Sequence, residues 1–218
     1  MIGDIIIVNC KTYTECTRDS LVKLAKAAEA ITKKSGVLIA IAPQSVDIAF
    51  LATQTRIPIL SQHVDAELPG ACTGAQVLES LAAAGACGSI LNHSENRVGE
   101  SKIKETLKRC TDKRFHSVLC GISASEVAHL AKLSPSCIAV EPPELIGGSV
   151  SVSSANPKLI RESVKAAGKI PLLVGAGIKN AQDVRIAKEL GAQGVLVASG
   201  VVLAKDPAMV LRDLASGF

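Results

Sequence analysis

The chain has 218 residues, of which 48% are hydrophobic, 20% charged and 2% aromatic, with Lys plus Arg outnumbering Asp plus Glu by 24 to 20. A chain of this length buries enough surface to be stable without disulfides or metals, and its apolar fraction excludes disorder. Its small, scattered basic excess, with one Tyr, three Phe and no Trp, offers no stacking platform for nucleic acid.

Eight short runs rich in Val, Ile and Leu recur along the chain: Ile5–Asn9, Val37–Ala42, Ile57–Gln62, Gly88–Asn92, Ser117–Gly121, Cys137–Glu141, Pro171–Gly175 and Gly194–Ala198. Most are apolar at consecutive positions, the pattern of parallel strands buried on both faces. Helical stretches separate them. In Leu21–Ser35, Leu21, Leu24, Ala25, Ala28 and Ile31 share one stripe, which Thr32 continues, while Lys23, Lys26 and Lys33 fall elsewhere. Thr73–Gln76 and Ser123–Glu126 read as capping boxes. Asn156-Pro157 and Asp206-Pro207 each set a cap residue before a proline at the first helical position. Asn180 caps a helix over Ala181–Leu190, which Gly191 ends.

Eight strand–helix units in 218 residues leave about 27 residues per unit, the spacing of right-handed βαβ connections. An open doubly wound sheet usually has fewer strands, and no early turn carries GxGxxG or GxxxxGK[ST]. The expectation is an α/β fold, a (β/α)8 barrel of eight parallel strands with trimmed helices, filling residues 1–218 as a single domain. Mean hydropathy is high at +0.33. No run approaches the ~18–20 apolar residues of a spanning helix, so no membrane partner is expected. Surface buried between copies of a trimmed barrel accounts for that apolarity instead.

Seven cysteines stand at positions 10, 16, 72, 87, 110, 120 and 137, with no CxxC pair and no zinc-like Cys/His spacing. Met1–Cys10 holds Asp4 and one short apolar run without a cleavage site behind it. These features point to a cytoplasmic protein with free thiols and no metal.

In such a barrel the site lies at the carboxyl ends of the strands. The first run ends Asn9-Cys10-Lys11, the third Gln62-His63, the fourth Asn92-His93-Ser94-Glu95 and the sixth Glu141-Pro142-Pro143. The last two end in small residues, Gly175-Ala176-Gly177 and Ala198-Ser199-Gly200. Glu141 follows a wholly apolar run, and partial desolvation suits its carboxylate to act as a base near neutrality. Glu144–Ser154 is a long small-residue loop of the kind that forms lids. Amides of a turn begun by Ser94 disfavour a charged imidazole at His93, leaving it a neutral hydrogen-bond donor. Lys11 is either a Schiff-base lysine or a fixed positive charge, and pairing with Glu95 favours the second. Gly177 and the Ala198–Gly200 turn present unobstructed amides suited to phosphate. His116 lies at the wrong barrel end, His129 falls mid-helix, and His63 is at most polar lining.

Asn9-x-Lys11, Asn92-His-Ser-Glu95 with Arg97, Glu141-Pro-Pro-Glu-Leu-Ile-Gly147 and Gly70–Gly74 stand in the order of the triosephosphate isomerases, which the chain resembles over its whole length. The resemblance implies interconversion of dihydroxyacetone phosphate and D-glyceraldehyde 3-phosphate without a cofactor. It makes Glu141 the base, His93 the neutral electrophile and Lys11 the charge that steers substrate, with Asn9 positioning it. It assigns Ile146, Gly147, Gly175, Gly177, Ala198 and Ser199 to substrate binding, and Glu95 and Cys120 to support. The short helices and the Gly175–Ile178 turn look like the archaeal branch, which implies a homotetramer, with a dimer as the alternative. Asp65–Thr73 would then be interface, with Thr73 bracing the partner's Lys11. The chain departs from longer members of the family at Glu144, where they carry Trp, at Gly147–Ser149, where they carry Gly-Thr-Gly, and at Asn96, where a second Arg is common.

Other sugar-phosphate barrels remain alternatives. The epimerases would need metal ligands, for which His63 and Glu141 are the only candidates. The phosphoribosyl isomerases place an acid where this chain has Asn9 and Lys11. A binding-only sensor would not need Lys11, His93 and Glu141 together.

Overall fold

A backbone strand exposes successive side chains to opposite faces, so a run that is apolar at every position must be covered on both. The computed structural model describes residues 3–142 and 156–218, and there the eight runs form eight parallel strands. They are β1 (Ile5–Asn9), β2 (Leu38–Ala42), β3 (Leu60–Ser61), β4 (Gly88–Leu91), β5 (His116–Gly121), β6 (Cys137–Val140), β7 (Leu172–Val174) and β8 (Gly194–Val197). Their order is β2-β1-β8-β7-β6-β5-β4-β3. The two outer members meet through a parallel bridge between Ile41 and Ile59 and a bond from Ile41 N to Pro58 O of 3.1 Å. The sheet therefore closes into the expected barrel rather than staying open.

Closure divides the apolar residues into two cores. Ile5, Ile7, Ala40, Ala42, Leu60, Ile90, Val118, Cys120, Ala139, Leu173 and Leu196 pack in one cluster that fills the lumen. Their strand neighbours Ile6, Val8, Ile39, Ile41, Leu91, Leu119, Ile138, Val140, Val174 and Val195 pack in a second cluster with the helices. The helices are α1 (Arg18–Ser35), α2 (Ser45–Ala52), α3 (Leu78–Ala83), α4 (Glu100–Asp112), α5 (Ala124–Ala131), α6 (Pro157–Ala167), α7 (Ala181–Glu189), α8 (Ser199–Val202) and α9 (Pro207–Ala215). No helix among the described residues is long and apolar enough to cross a membrane.

The local signals act mostly as read. In α1 the buried residues are Leu21, Leu24, Ala25, Ala28 and Ile31. Gly36 ends that helix in the left-handed region at φ 80°, donating its amide to Thr32 O. Asn156, Asn180 and Asp206 each accept an amide three residues on, from Leu159, Asp183 and Met209. Helix α7 ends at Glu189, one residue short of expectation, before Gly191 at φ 98°.

Three expectations need correction. Thr73–Gln76 is not a capping box: α3 begins at Leu78, and the Gln76 amide donates to Asp65 Oδ2 at 2.7 Å while Asp65 N donates to Gln76 O at 2.9 Å. The loop after β3 satisfies these groups within itself, so no cap is needed there. At Ser123–Glu126 only half of the box forms, because the Glu126 carboxylate reaches Ile122 N (2.7 Å) rather than Ser123 N. The run Ile57–Gln62 shortens to Leu60–Ser61. Pro58 has no amide to donate, and Gln62 leaves the ladder to bond the ends of its neighbours through its side chain.

Candidate active site

The end of β1 turns sharply. Asn9 is buried and accepts the Lys11 amide on Oδ1 at 3.0 Å, which holds Lys11 at φ 45°. Gln62 fixes the same turn from below, donating from Nε2 to Lys11 O (2.8 Å) and Ala42 O (3.0 Å). Lys11 then extends across the barrel mouth to Glu95, with Nζ 2.6 Å from Oε1. The lysine side chain is 15% exposed and the glutamate 58%, so Glu95 sits at the rim and Lys11 beneath it. Such a pair holds the ammonium in place, which fits the fixed-charge alternative rather than a Schiff base.

The end of β4 is held by Asn92, buried and left-handed at φ 61°. It accepts Val98 N on Oδ1 (3.0 Å) and donates to Cys120 O (2.9 Å), which pins the segment to the end of β5. Asn96 N closes the intervening turn on His93 O at 2.8 Å, and the next helix waits until Glu100. Inside that turn the Glu95 amide donates to His93 Nδ1 at 3.2 Å. A ring nitrogen that accepts carries no proton, so the bond assigns a neutral imidazole with its hydrogen on Nε2.

His93 Nε2 faces Glu141 Oε1 at 3.4 Å. Glu141 is 3% exposed, and its backbone N bonds Gly121 O at 2.8 Å across β5 and β6. Its other oxygen, Oε2, is buried without a hydrogen-bond partner among the described residues. Cys120 lies beside the carboxylate, and its thiol is pushed well above the ordinary range by burial and then by the Glu141 charge. It therefore packs there as a neutral thiol. Gly175 clears the opposite side: a β-carbon at this position would overlap Glu141 Cγ and stand 3.0 Å from Cδ and Oε1.

These groups border one cavity of about 120 Å³, lined by Asn9, Lys11, His93, Glu141, Gly175, Gly177, Ala198 and Ser199. Every described residue expected at the substrate is among them. Glu95 meets the cavity through Lys11, and Cys120 through Glu141. Ile146 and Gly147, with the rest of the expected lid over 144–154, lie outside the described residues. Gly177 takes φ 68°, and Ala198 caps α8, whose first amides have no partner within the helix. His63 bonds Asp65 at 3.0 Å and borders a neighbouring cavity that shares Asn9, Lys11 and His93 with the first but is not lined by Glu141. His116 is exposed at the start of β5, and His129 pairs with Glu100 at 3.2 Å on the surface.

Sequence reasoning missed Tyr13, Ile178 and Lys179, which also line the cavity. It also took Asn92 and Gln62 only as strand ends. A short polar residue just past an apolar run was the available signal for Asn92, since Asn tolerates the left-handed region. Nothing in the sequence marked Tyr13.

A closed parallel barrel with a carboxylate, a neutral imidazole and a lysine around one small pocket defines an acid–base enzyme of the (β/α)8 class. A sequence model of the family described as triosephosphate isomerase matches residues 4–215. A protein of that name from Methanobrevibacter smithii is 41% identical over 216 residues, covering 97% of each chain. One from Methanothermus fervidus is 41% identical over 96% of each, and one from Methanocaldococcus jannaschii 39% identical over 96% of this chain and 98% of its own. The chain belongs to the triosephosphate isomerase family.

Proposed function

We propose that the chain interconverts dihydroxyacetone phosphate and D-glyceraldehyde 3-phosphate, a step of glycolysis and gluconeogenesis, through an enediolate and without a cofactor. The observation that carries this reading is the Glu141–His93 pair. A buried carboxylate stands 3.4 Å from an imidazole whose proton is held on the facing nitrogen.

Glu141 takes the proton from the carbon beside the carbonyl and returns it to the neighbouring carbon. His93 donates from Nε2 to the carbonyl oxygen as negative charge develops there, and the Lys11 ammonium stabilises the same charge in a site largely shielded from water. Asn9 positions Lys11 through its amide. Gly177, Ala198 and Ser199, with Gly147 and Ile146 from the lid, receive the phosphate, and Gly175 leaves room for the base. Glu95 and Cys120 support the set from outside the substrate. Exclusion of water by the lid protects the enediolate from losing phosphate.

The chain acts as one domain over 1–218, in the cytoplasm, a compartment its seven free cysteines suit. It assembles as a homo-oligomer, a tetramer in preference to a dimer. Support comes from large apolar side chains left in solvent, Val46 at 80% and Leu68 at 69%, the latter within the Asp65–Thr73 loop expected at the interface. Light scattering that gives a monomer mass refutes the assembly.

The activity is tested by a coupled assay with glyceraldehyde 3-phosphate, with and without EDTA. Turnover is expected to survive EDTA and to fall about 10³-fold in Glu141→Ala. Equal activity in the variant removes Glu141 as base. Inactivity of the unaltered protein removes the enzyme reading.

A further inference from the structure

Two cysteines at the end of β1 stand apart from the other five. Cys10 and Cys16 are both buried, and their sulfurs are 2.6 Å apart as free thiols. The five residues between them form a tight loop, with Tyr13 N bonded to Cys10 O and Cys16 N to Tyr13 O. That loop carries Lys11 and Tyr13, both of which line the site cavity.

Cys16 also borders a second cavity of about 370 Å³, between α1 and the segment after α8, with Glu15, Lys23, Leu203 and Asp206 on its walls. Cys16 is only 2% exposed, and this cavity is the side from which a small reagent approaches it. Cys10 is 1% exposed, and its pKa is driven far up by the hydrogen bond to Cys16, then by burial and the charges of Cys16 and Asp47. The contrast with other thiols is plain. Burial raises Cys110 to about 11 and Cys137 to about 12, and Cys137 Sγ meets Ser117 O at 3.9 Å rather than a second sulfur.

We propose that Cys10 and Cys16 form a reversible oxidation site that takes a low-molecular-weight disulfide through the Cys16 cavity and slows turnover by shifting the Lys11 loop. Cys16 sulfur attacks the small disulfide and breaks its S–S bond, releasing one thiol and leaving a mixed disulfide. Cys10 sulfur then attacks Cys16 sulfur, passing its proton to the departing sulfur, and the second thiol is released. The two cysteine protons leave on the two released thiols, and the two electrons lost by the cysteines reduce the small disulfide. A bond between residues 10 and 16 constrains the backbone on both sides of Lys11, which lies on the five-residue loop it closes. Since a displacement of about 1 Å costs about 10²-fold in rate, a loss of about tenfold is expected. The inhibition rests on the proposed isomerase activity; the bond itself does not.

The test incubates the full chain with oxidised glutathione, maps disulfides by peptide mass spectrometry, and assays turnover before and after dithiothreitol. The expected result is a Cys10–Cys16 bond, loss of two hydrogens, turnover down about tenfold, and recovery on reduction. Cys16→Ser and Cys16→Ala should keep basal turnover and lose the inhibition. A stable glutathione adduct without the internal bond overturns the proposal. So does a bond that leaves turnover unchanged, or equal inhibition of both variants. Inactivity of the reduced protein before oxidation instead defeats the isomerase reading and the inhibition with it, while the peptide map still decides the oxidation site.

Discussion

Replacing Gly175 by alanine tests the geometry of the base directly. The added methyl carbon overlaps Glu141 Cγ and lies 3.0 Å from Cδ and Oε1. Carbon atoms settle at about 3.5–4.0 Å, so the glutamate side chain must retreat by roughly 1 Å. The backbone cannot easily give instead, because Gly175 N is bonded to Val140 O at 3.0 Å across β6 and β7. A carboxylate displaced by about 1 Å from its proton loses about 10²-fold in rate. Overpacking adds a stability cost of about 1–3 kcal/mol, which leaves a folded protein with a melting point lower by about 2–10 °C. The expected outcome in the coupled assay is therefore a kcat lower by about 10²-fold, with KM little changed and circular dichroism unaltered. Gly99→Ala is the control, since φ is −65° there and a β-carbon meets nothing within 4 Å. Turnover of Gly175→Ala within about threefold of the unaltered protein would refute the reasoning, because the predicted displacement carries a far larger penalty.

Removing the imidazole in His93→Ala should lower kcat by about 10²–10³-fold, with KM within a few-fold, as loss of one preorganised donor does; a kcat within a few-fold of normal argues against the electrophile role. Asn92→Ala strips a hydrogen-bond partner from Val98 N and from Cys120 O and leaves alanine in the left-handed region. Urea unfolding should show a loss of about 2–5 kcal/mol, and Asn92→Gly should recover the backbone part of it. Glu29 accepts Arg56 N at 2.6 Å and the Thr55 hydroxyl at 2.9 Å, and these bonds hold its carboxyl below the ordinary 4.5. A depressed folded value stabilises the native state above the unfolded value, and that stability is lost as pH falls through the folded one. The stability gap between the unaltered protein and Glu29→Gln should be constant above about pH 5.5 and shrink progressively below about pH 4.5; a gap that widens on acidification contradicts the bonding seen at Glu29.

Much of the fold was legible because its signals are local. Two-sided burial writes itself as consecutive apolar residues, so Ile5–Asn9 appears with the same bounds in sequence and structure. The Asn156, Asn180 and Asp206 caps depend only on residues three positions away. The Thr73 box failed because Asp65, eight residues earlier, took the Gln76 amide. Strand β3 was overestimated because hydropathy counts Pro58 and Gln62 as continuing the run, whereas a ladder needs amides in register.

The site divides along the same line. Chain order alone named Lys11, His93 and Glu141, since each follows an apolar run where a parallel barrel presents its side chains. It also established the high apolar fraction and the want of aromatics, both of which suit a narrow lumen filled by Ala40, Ala42 and Ala139. Only the tertiary structure decided what those residues do to one another. Which imidazole nitrogen holds the proton depends on the Glu95 amide, and the seat of the base depends on a glycine 34 positions later, as the numbers 141 and 175 show. The contact between Cys10 and Cys16 belongs to the same class. The reason is physical: secondary structure follows from the periodicity of neighbours, whereas proton placement, steric clearance and sulfur contact are set at distances of a few ångströms between segments that only closure of the barrel brings together.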